Sequence, residues 1–481
     1  MILLMIVLFL LGYLCIAMEH ATHVNKAAPA LIMAALLWTL YVLNAESILV
    51  ASEEFQHVVG KAFGISPSME GWNEFVSNLP SLPDLHERCI QYVTGQQVIE
   101  HLGDTASTLF FLMGAMTIVE LVDVHGGFSI ITDHITTRKK RKLLWIIAII
   151  TFCLSAILDN LTTTIVMVML LRKLVSDNKE RWLFACMVVI AANSGGAFSP
   201  IGDVTTIMLW VRGNVTTSTI IPSLIIPSLL SVIIPVLITS FMLKGEVAPM
   251  AKSEETEEDK AANYISEAER RAIFFMGVGA LIFVPIFKSI THLPPFIGIL
   301  FGLGVLWTYT EIMYHSKSSV PSSVQGRIVN VLSRIDLSTI LFFLGILMAV
   351  AALQCAGILH SLSVFLEESI GNIYIINIVI GVLSSIVDNV PLVAGAMGMY
   401  EGAPGIDFVT DGQFWLFLAY CAGVGGSMLI IGSAAGVVVM GLEKIDFFWY
   451  LRKITLLAFV GYIVGALYFI VQEMFIVPLL Q

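Results

Sequence analysis

A succession of apolar runs, each near the ~20 residues needed to cross a ~30 Å hydrocarbon layer, leaves this chain few folds to choose from. They fall at about 1–18, 28–44, 106–123, 182–211, 215–243, 272–288, 293–314, 337–358, 413–442 and 454–478. Short alternating strands, the mark of a membrane β-barrel, do not appear. Only 13% of the residues are charged and mean hydropathy is +0.89, too little charge to cover a soluble surface of this size. The fold class is all-α and polytopic, a membrane protein. The first run lacks a basic n-region and reads as a span rather than a signal peptide.

Two further apolar runs do not behave as simple spans. The first, 143–171, lies between Arg138–Lys142 (RKKRK) and Arg172-Lys173, with SAILDNLTTT at its centre. Basic residues collect on the cytoplasmic side, so one crossing would strand one of the two clusters. Two half-length helices turning at Asp159-Asn160 keep both inside, and helix-breaking backbone at membrane depth requires a protein or watery surround. Alternating the remaining spans then puts every Lys and Arg on the cytoplasmic side except Lys61, Arg88, Arg212 and Lys288. The second run, 372–400, carries SSIVDNVPLV in a stretch with no Lys or Arg between Arg334 and Lys444, and reads as a hairpin entering from outside. Both termini are expected outside the cytoplasm, in the cell inner (plasma) membrane.

The two runs belong to a repeat. DTASTLFFLMG resembles DLSTILFFLG, and NSGGAFSPIGD aligns with GVGGSMLIIGS, pairing Gly195, Gly196 and Gly202 with Gly425, Gly426 and Gly432. These landmarks and the two hairpin tips keep one order and an offset near 230. Opposite flanking charge makes the copies inverted. The expected organisation is a first repeat over 1–244 (hairpin 143–171, broken helix 182–211), a cytoplasmic connector over 245–271 containing EETEED, and a second repeat over 272–481 (hairpin 372–400, broken helix 413–442). Inverted repeats with broken helices place a transport site at the midplane.

The candidate cation and proton ligands are the oxygens of those tips and breaks. They are Asp159, Asn160, Thr162, Thr163, Asn193, Ser194, Asp203, Thr205 and Thr206 in the first half, and Ser384, Asp388, Asn389, Ser427 and Ser433 in the second. No Lys, Arg or His lies among them. Hard oxygen donors carrying negative charge suit a small cation. Asp159, Asn160, Asp203, Asp388 and Asn389 are the expected Na⁺ set. Each tip residue can also serve as a helix N-cap, and the Gly-Gly pairs can serve close helix packing. A carboxylate in hydrocarbon costs at least ~2.5–3.5 kcal/mol, however, which argues for function. Glu100 and His101, with Asp104 at the mouth of a span, form a candidate pH sensor. The six cysteines have no metal-ligand spacing, and no nucleotide loop, hydrolase motif or nucleic-acid patch appears.

ILDNLTTT, NSGGAFSPIGDVTT and SSIVDNVPLVAGAMGMY resemble the NhaD-type sodium/proton antiporters of the ion transporter superfamily, a likeness running from about Glu19 to the C-terminus. That superfamily also holds arsenite permeases and sodium-coupled dicarboxylate and citrate carriers, whose tips typically read Ser-Asn-Thr. Here both tips read Asp-Asn, and Asp203 is matched in the second half by Ser433. The resemblance implies a secondary transporter and not an enzyme. It implies no cofactor, Na⁺ (or Li⁺) and H⁺ as the transported ions, the bilayer and a second copy of the chain as partners, and no nucleic acid. Burial disfavours a charged carboxylate, so protons and Na⁺ would compete for the same aspartates by alternating access. A sodium-coupled symporter of a small anion and an arsenite-type permease are the alternatives.

Overall fold

The computed structural model describes residues 2–22, 24–69, 71–128, 130, 137–247, 265–315, 331–332, 335–386, 388–400 and 402–476. Most of the expected 245–271 connector, EETEED included, lies outside them, as does Glu401. The described residues are helical apart from loops and one isolated antiparallel bridge, Lys139 to Glu246. The chain is an all-α polytopic membrane protein.

Among the described residues, six helices are individually long and apolar enough to span a bilayer, seven if the pair Ile358–Ile370 and Ile373–Ser384, bent by 117°, counts as one. The other expected spans are either slightly short, Ile2–Ala17 and Ala27–Leu43, or interrupted. Two differences from the sequence reading have physical causes. The span expected at 106–123 is the end of a 40-residue helical run, Leu85–Val124, which no proline interrupts. The span expected to reach 358 ends at Cys355, and Gly357, at φ +73°, turns the chain into a separate helix, Ile358–Ile370.

The chain divides into two compact units. One comprises 1–106 with 338–365. In it Gly345 lies against the backbone of Ala30 and Leu31, and Trp38 donates to the Met348 carbonyl at 2.8 Å. The other comprises 107–337 with 366–481 and contains both hairpins and both interrupted helices. Within it Thr217–Met242 carries Pro222, Pro227 and Pro235 and packs against Thr455–Val471. A proline frees the carbonyl four residues before it. The Ser223 carbonyl freed by Pro227 is taken by the Gln472 amide at 3.0 Å. Gly461 and Gly465 let the partner helix settle against the Ser231 and Pro227 carbonyls.

Candidate cation site

Each of the runs 143–171 and 372–400 folds as a pair of helices that reverses at its Asp-Asn step. Lys140–Ser155 and Asn160–Leu174 form the first pair. Lys140, at the start of one arm, holds Glu180 at 2.5 Å, while Arg172, at the end of the other, shares Glu443 with Arg181. Both feet therefore stand beside the start of Asn178–Ala197, and Asn160 at the tip reaches Asn193 near that helix's far end. In the second pair, Ile373–Ser384 and Asn389–Tyr400, Tyr374 bonds Gln413 at 2.5 Å and the Tyr400 ring lies 4.4 Å from Phe414. Those feet meet at the start of Gln413–Gly425.

Both following helices break where the glycines cluster. Asn178–Ala197 stops and restarts as Val204–Val211; Gln413–Gly425 stops and restarts as Ala434–Glu443. The same fastenings recur 229 or 230 positions apart. Ser155 donates to the Ala192 carbonyl (2.6 Å) and Ser384 to the Ala422 carbonyl (2.8 Å), pinning each hairpin arm to its broken helix. Gly202 and Gly432 press so closely on the hairpin backbone that an added Cβ would lie 2.5 Å from the Ser155 or the Ser385 carbonyl oxygen.

The broken ends and tips converge on Asp203, which is 1% exposed. It is the N-cap of Val204–Val211: Oδ1 accepts from the Thr205 amide and hydroxyl, both at 2.9 Å. Oδ2 accepts from the Asn160 amide at 2.7 Å, and the Asn389 amide approaches both oxygens at 3.4 Å. Asn193 links the halves, its oxygen accepting from Asn160 (3.1 Å) and its nitrogen donating to Ser427 (3.0 Å) and Ser433 (2.8 Å). Carboxamides from both tips thus meet one buried carboxylate.

Asp159 stands at the edge of this group. It caps Asn160–Leu174, its carboxylate accepting from the Thr162 amide (2.7 Å) and hydroxyl (2.9 Å). Its backbone sits at φ +126°, ψ 160°, a region essentially reserved for glycine and costing a side-chain-bearing residue about 1–3 kcal/mol. Asp388, half-buried, occupies the matching place before Asn389–Tyr400. Asp159 and Asp388 are near enough for their charges to act on Asp203. The three do not close into one chelate: among the described residues no three Asp, Glu, His or Cys side chains group as a metal site.

Other candidates are placed differently. Ser194 turns from the cluster to accept from Ser231 at 2.8 Å, Ser384 is spent on its fastening, and Thr206 bonds the Asp203 carbonyl at 2.9 Å. The Thr163 hydroxyl is buried without a hydrogen-bond partner among the described residues. Glu100, exposed, and His101, half-buried, belong to the other unit. Sequence reasoning missed Tyr450, whose hydroxyl holds the Ser427 carbonyl at 2.7 Å, and Glu443, fully buried between two arginines. Glu443 adjoins Lys444 and reads in sequence as an ordinary interfacial charge.

Residues 13–417 match the family described as citrate transporter. The chain is 43% identical to "Sodium/proton antiporter 1" of Arabidopsis thaliana, over 96% of this chain and 71% of that one. It is 40% identical to "Sodium/proton antiporter 2" of the same plant, over 98% and 100%. With "Na(+)/H(+) antiporter NhaD" of Vibrio parahaemolyticus the identity is 31%, over 77% and 92%. The chain belongs to the NhaD-type branch of this family. An NhaD-type chain is a transporter and not an enzyme, so the polar cluster calls for an account in terms of binding and release rather than bond-making.

Proposed function

We propose that this protein exchanges cytoplasmic Na⁺, or Li⁺, for external H⁺, with cation and proton alternating on Asp203 and the neighbouring Asp159 and Asp388. The relatives at 43%, 40% and 31% identity are named as sodium/proton antiporters. The observation that carries the reading is the convergence of the Asn160 and Asn389 carboxamides on the buried Asp203 carboxylate. A carboxamide has two faces. Its nitrogen bonds a bare carboxylate, and rotated by half a turn its oxygen joins that carboxylate around a cation. Thr205 and Thr163 supply further neutral oxygens, while Asp159 and Asp388 raise the negative potential without closing a rigid chelate. That composition suits a monovalent ion that must also leave.

In this proposal the two halves are inverted repeats, and the basic loops at the first hairpin's feet face the cytoplasm. The cluster then lies at the midplane, exposed to one side at a time, and reorientation requires either cation or proton on the carboxylates. Two copies of the chain assemble in the membrane.

Sodium-coupled uptake of a small carboxylate is the second reading, favoured by the citrate-transporter family match. Three aspartates around the cluster weigh against an anion there. Everted vesicles separate the two. Antiport predicts that Na⁺ dissipates an acid-inside gradient with no organic anion present, and that Asp203→Asn removes this while the protein stays in the membrane. A citrate requirement for any Na⁺-driven signal would overturn the proposal.

A further inference from the structure

Away from the cluster, basic side chains gather around a cavity at the foot of the first hairpin. Lys139, Arg141, Lys142, Lys244 and Glu246, together with Leu243, line a space of about 470 Å³. Its frame is backbone. Lys139 and Glu246 form an antiparallel bridge, the Val247 amide bonds the Arg138 carbonyl (2.9 Å), and the Lys140 amide bonds the Gly245 carbonyl (3.2 Å). The Arg141 Nε donates to the Leu243 carbonyl at 2.9 Å, which fixes where the rest of its guanidinium points from.

Four basic residues, all exposed, therefore line this space against a single acidic one. None of the four is in an ion pair among the described residues, whereas the adjacent Lys140 is committed to Glu180. Lys140–Ser155 also begins here, its Lys140 amide already taken by the Gly245 carbonyl. Positive charge gathered at one cavity favours an anion with several oxygens.

The surroundings say where that anion comes from. The cavity adjoins the end of the membrane-spanning helix Thr217–Met242, whose last residues Phe241 and Met242 are 66% and 62% exposed. Apolar side chains left uncovered there, next to a basic rim, match acyl chains below and a charged headgroup above. We infer that this cavity binds the phosphate headgroup of an anionic phospholipid, with its tails along the outer surface of Thr217–Met242. The lipid ties the foot of the first hairpin to the end of that helix.

The test is native mass spectrometry of the detergent-solubilised chain titrated with phosphatidylglycerol and with phosphatidylcholine. Phosphatidylglycerol should bind in preference to phosphatidylcholine, and the triple variant Lys139→Gln, Lys142→Gln, Lys244→Gln should bind it roughly 100-fold more weakly, at about fivefold per charge removed. Neutralising the exposed Lys444, Arg452 and Lys453 should leave the affinity unchanged, since they lie outside the cavity. Equal binding by wild type and the triple variant, or equal weakening by both triple variants, would overturn the assignment. Displacement of the lipid by millimolar inorganic phosphate would also overturn it, by showing a soluble-anion site instead.

Discussion

Asp159→Gly distinguishes a side chain kept for its charge from one kept for its fold. The residue holds φ +126°, ψ 160°, and relief of that backbone by glycine is worth about 1–3 kcal/mol. Two effects oppose the gain. Glycine gives up the bonds from Asp159 to the Thr162 amide and hydroxyl, and an N-cap replaced by glycine loses only a few tenths of a kcal/mol. The freer unfolded chain subtracts about 0.4–1 kcal/mol more. The sum runs from about zero to about 2 kcal/mol in favour of the variant.

A merely structural Asp159 would thus be at a position where glycine is as good or better. The expected outcome is a variant that unfolds in detergent at the wild-type temperature or above it, yet shows no Na⁺-dependent exchange in everted vesicles. Asp159→Asn, which keeps the strain and removes the charge, should be equally inactive without the gain in stability. Exchange that survives in Asp159→Gly would remove Asp159 from the ion path. A loss of several kcal/mol would show that its carboxylate holds the hairpin together, and the functional argument from strain would fail.

Gly202→Ala and Gly432→Ala insert the same atom at matching places, each needing the hairpin to retreat about 0.8 Å and each costing about 1–3 kcal/mol of stability. Because Gly202 adjoins Asp203 and Gly432 adjoins Ser433, the first should raise the apparent Km for Na⁺ far more than the second; equal Km changes would argue against a site centred on Asp203. Glu443→Ala leaves two arginines facing each other and should destabilise by up to about 3–5 kcal/mol in a thermal or denaturant assay, whereas Arg172→Ala, partly exposed, should cost under about 1 kcal/mol. In a cysteine-free background, cysteines at Ser176 and Thr410, both exposed, should react with an impermeant thiol reagent from opposite sides of the membrane. Reaction from one side only would contradict the inverted arrangement.

The hairpin tips and helix breaks were legible because charge and glycine are expensive inside an apolar segment. Asp159-Asn160, Asp388-Asn389 and the Gly-Gly pairs stand out on that ground, and the structure turns the chain at each tip and breaks the helix at or just after each Gly-Gly pair. The direction of a small hydroxyl was not legible. Ser194 and Asn193 are adjacent on one helix, yet Asn193 joins the cluster and Ser194 faces Ser231, because neighbouring residues on a helix point about 100° apart and only the packed partner decides which faces inward. Glu443 was illegible for a different reason. Its partners Arg172 and Arg181 lie about 260–270 positions away, and its burial exists only once the first hairpin's foot meets the end of Ala434–Glu443.

The recurrence at an offset near 230 separates what holds the site from what gives it chemistry. Ser155 and Ser384, Gly202 and Gly432, and the two Asp-Asn steps build the same fastening twice. The first residue after each close-packed glycine then differs, Asp203 in one half and Ser433 in the other. Both cap their restarted helix, Asp203 through the Thr205 amide and Ser433 through the Gly436 amide at 3.2 Å. Capping therefore requires no carboxylate at this place, since a serine performs it in the same protein. The additional charge at Asp203 must be justified by what it attracts, and the amides from both tips already converge on it. Ser433→Asp should then add a second buried carboxylate beside Asn193, which bonds that serine at 2.8 Å. Two carboxylates joined through the bonded Asn160–Asn193 amide pair cannot both ionise cheaply, so the variant should tighten cation binding and slow its release. The readout is a lower apparent Km for Na⁺ with a lower maximal exchange rate. An unchanged Km would mean that Ser433 lies outside the ion's path and that Asn193 serves only to join the halves.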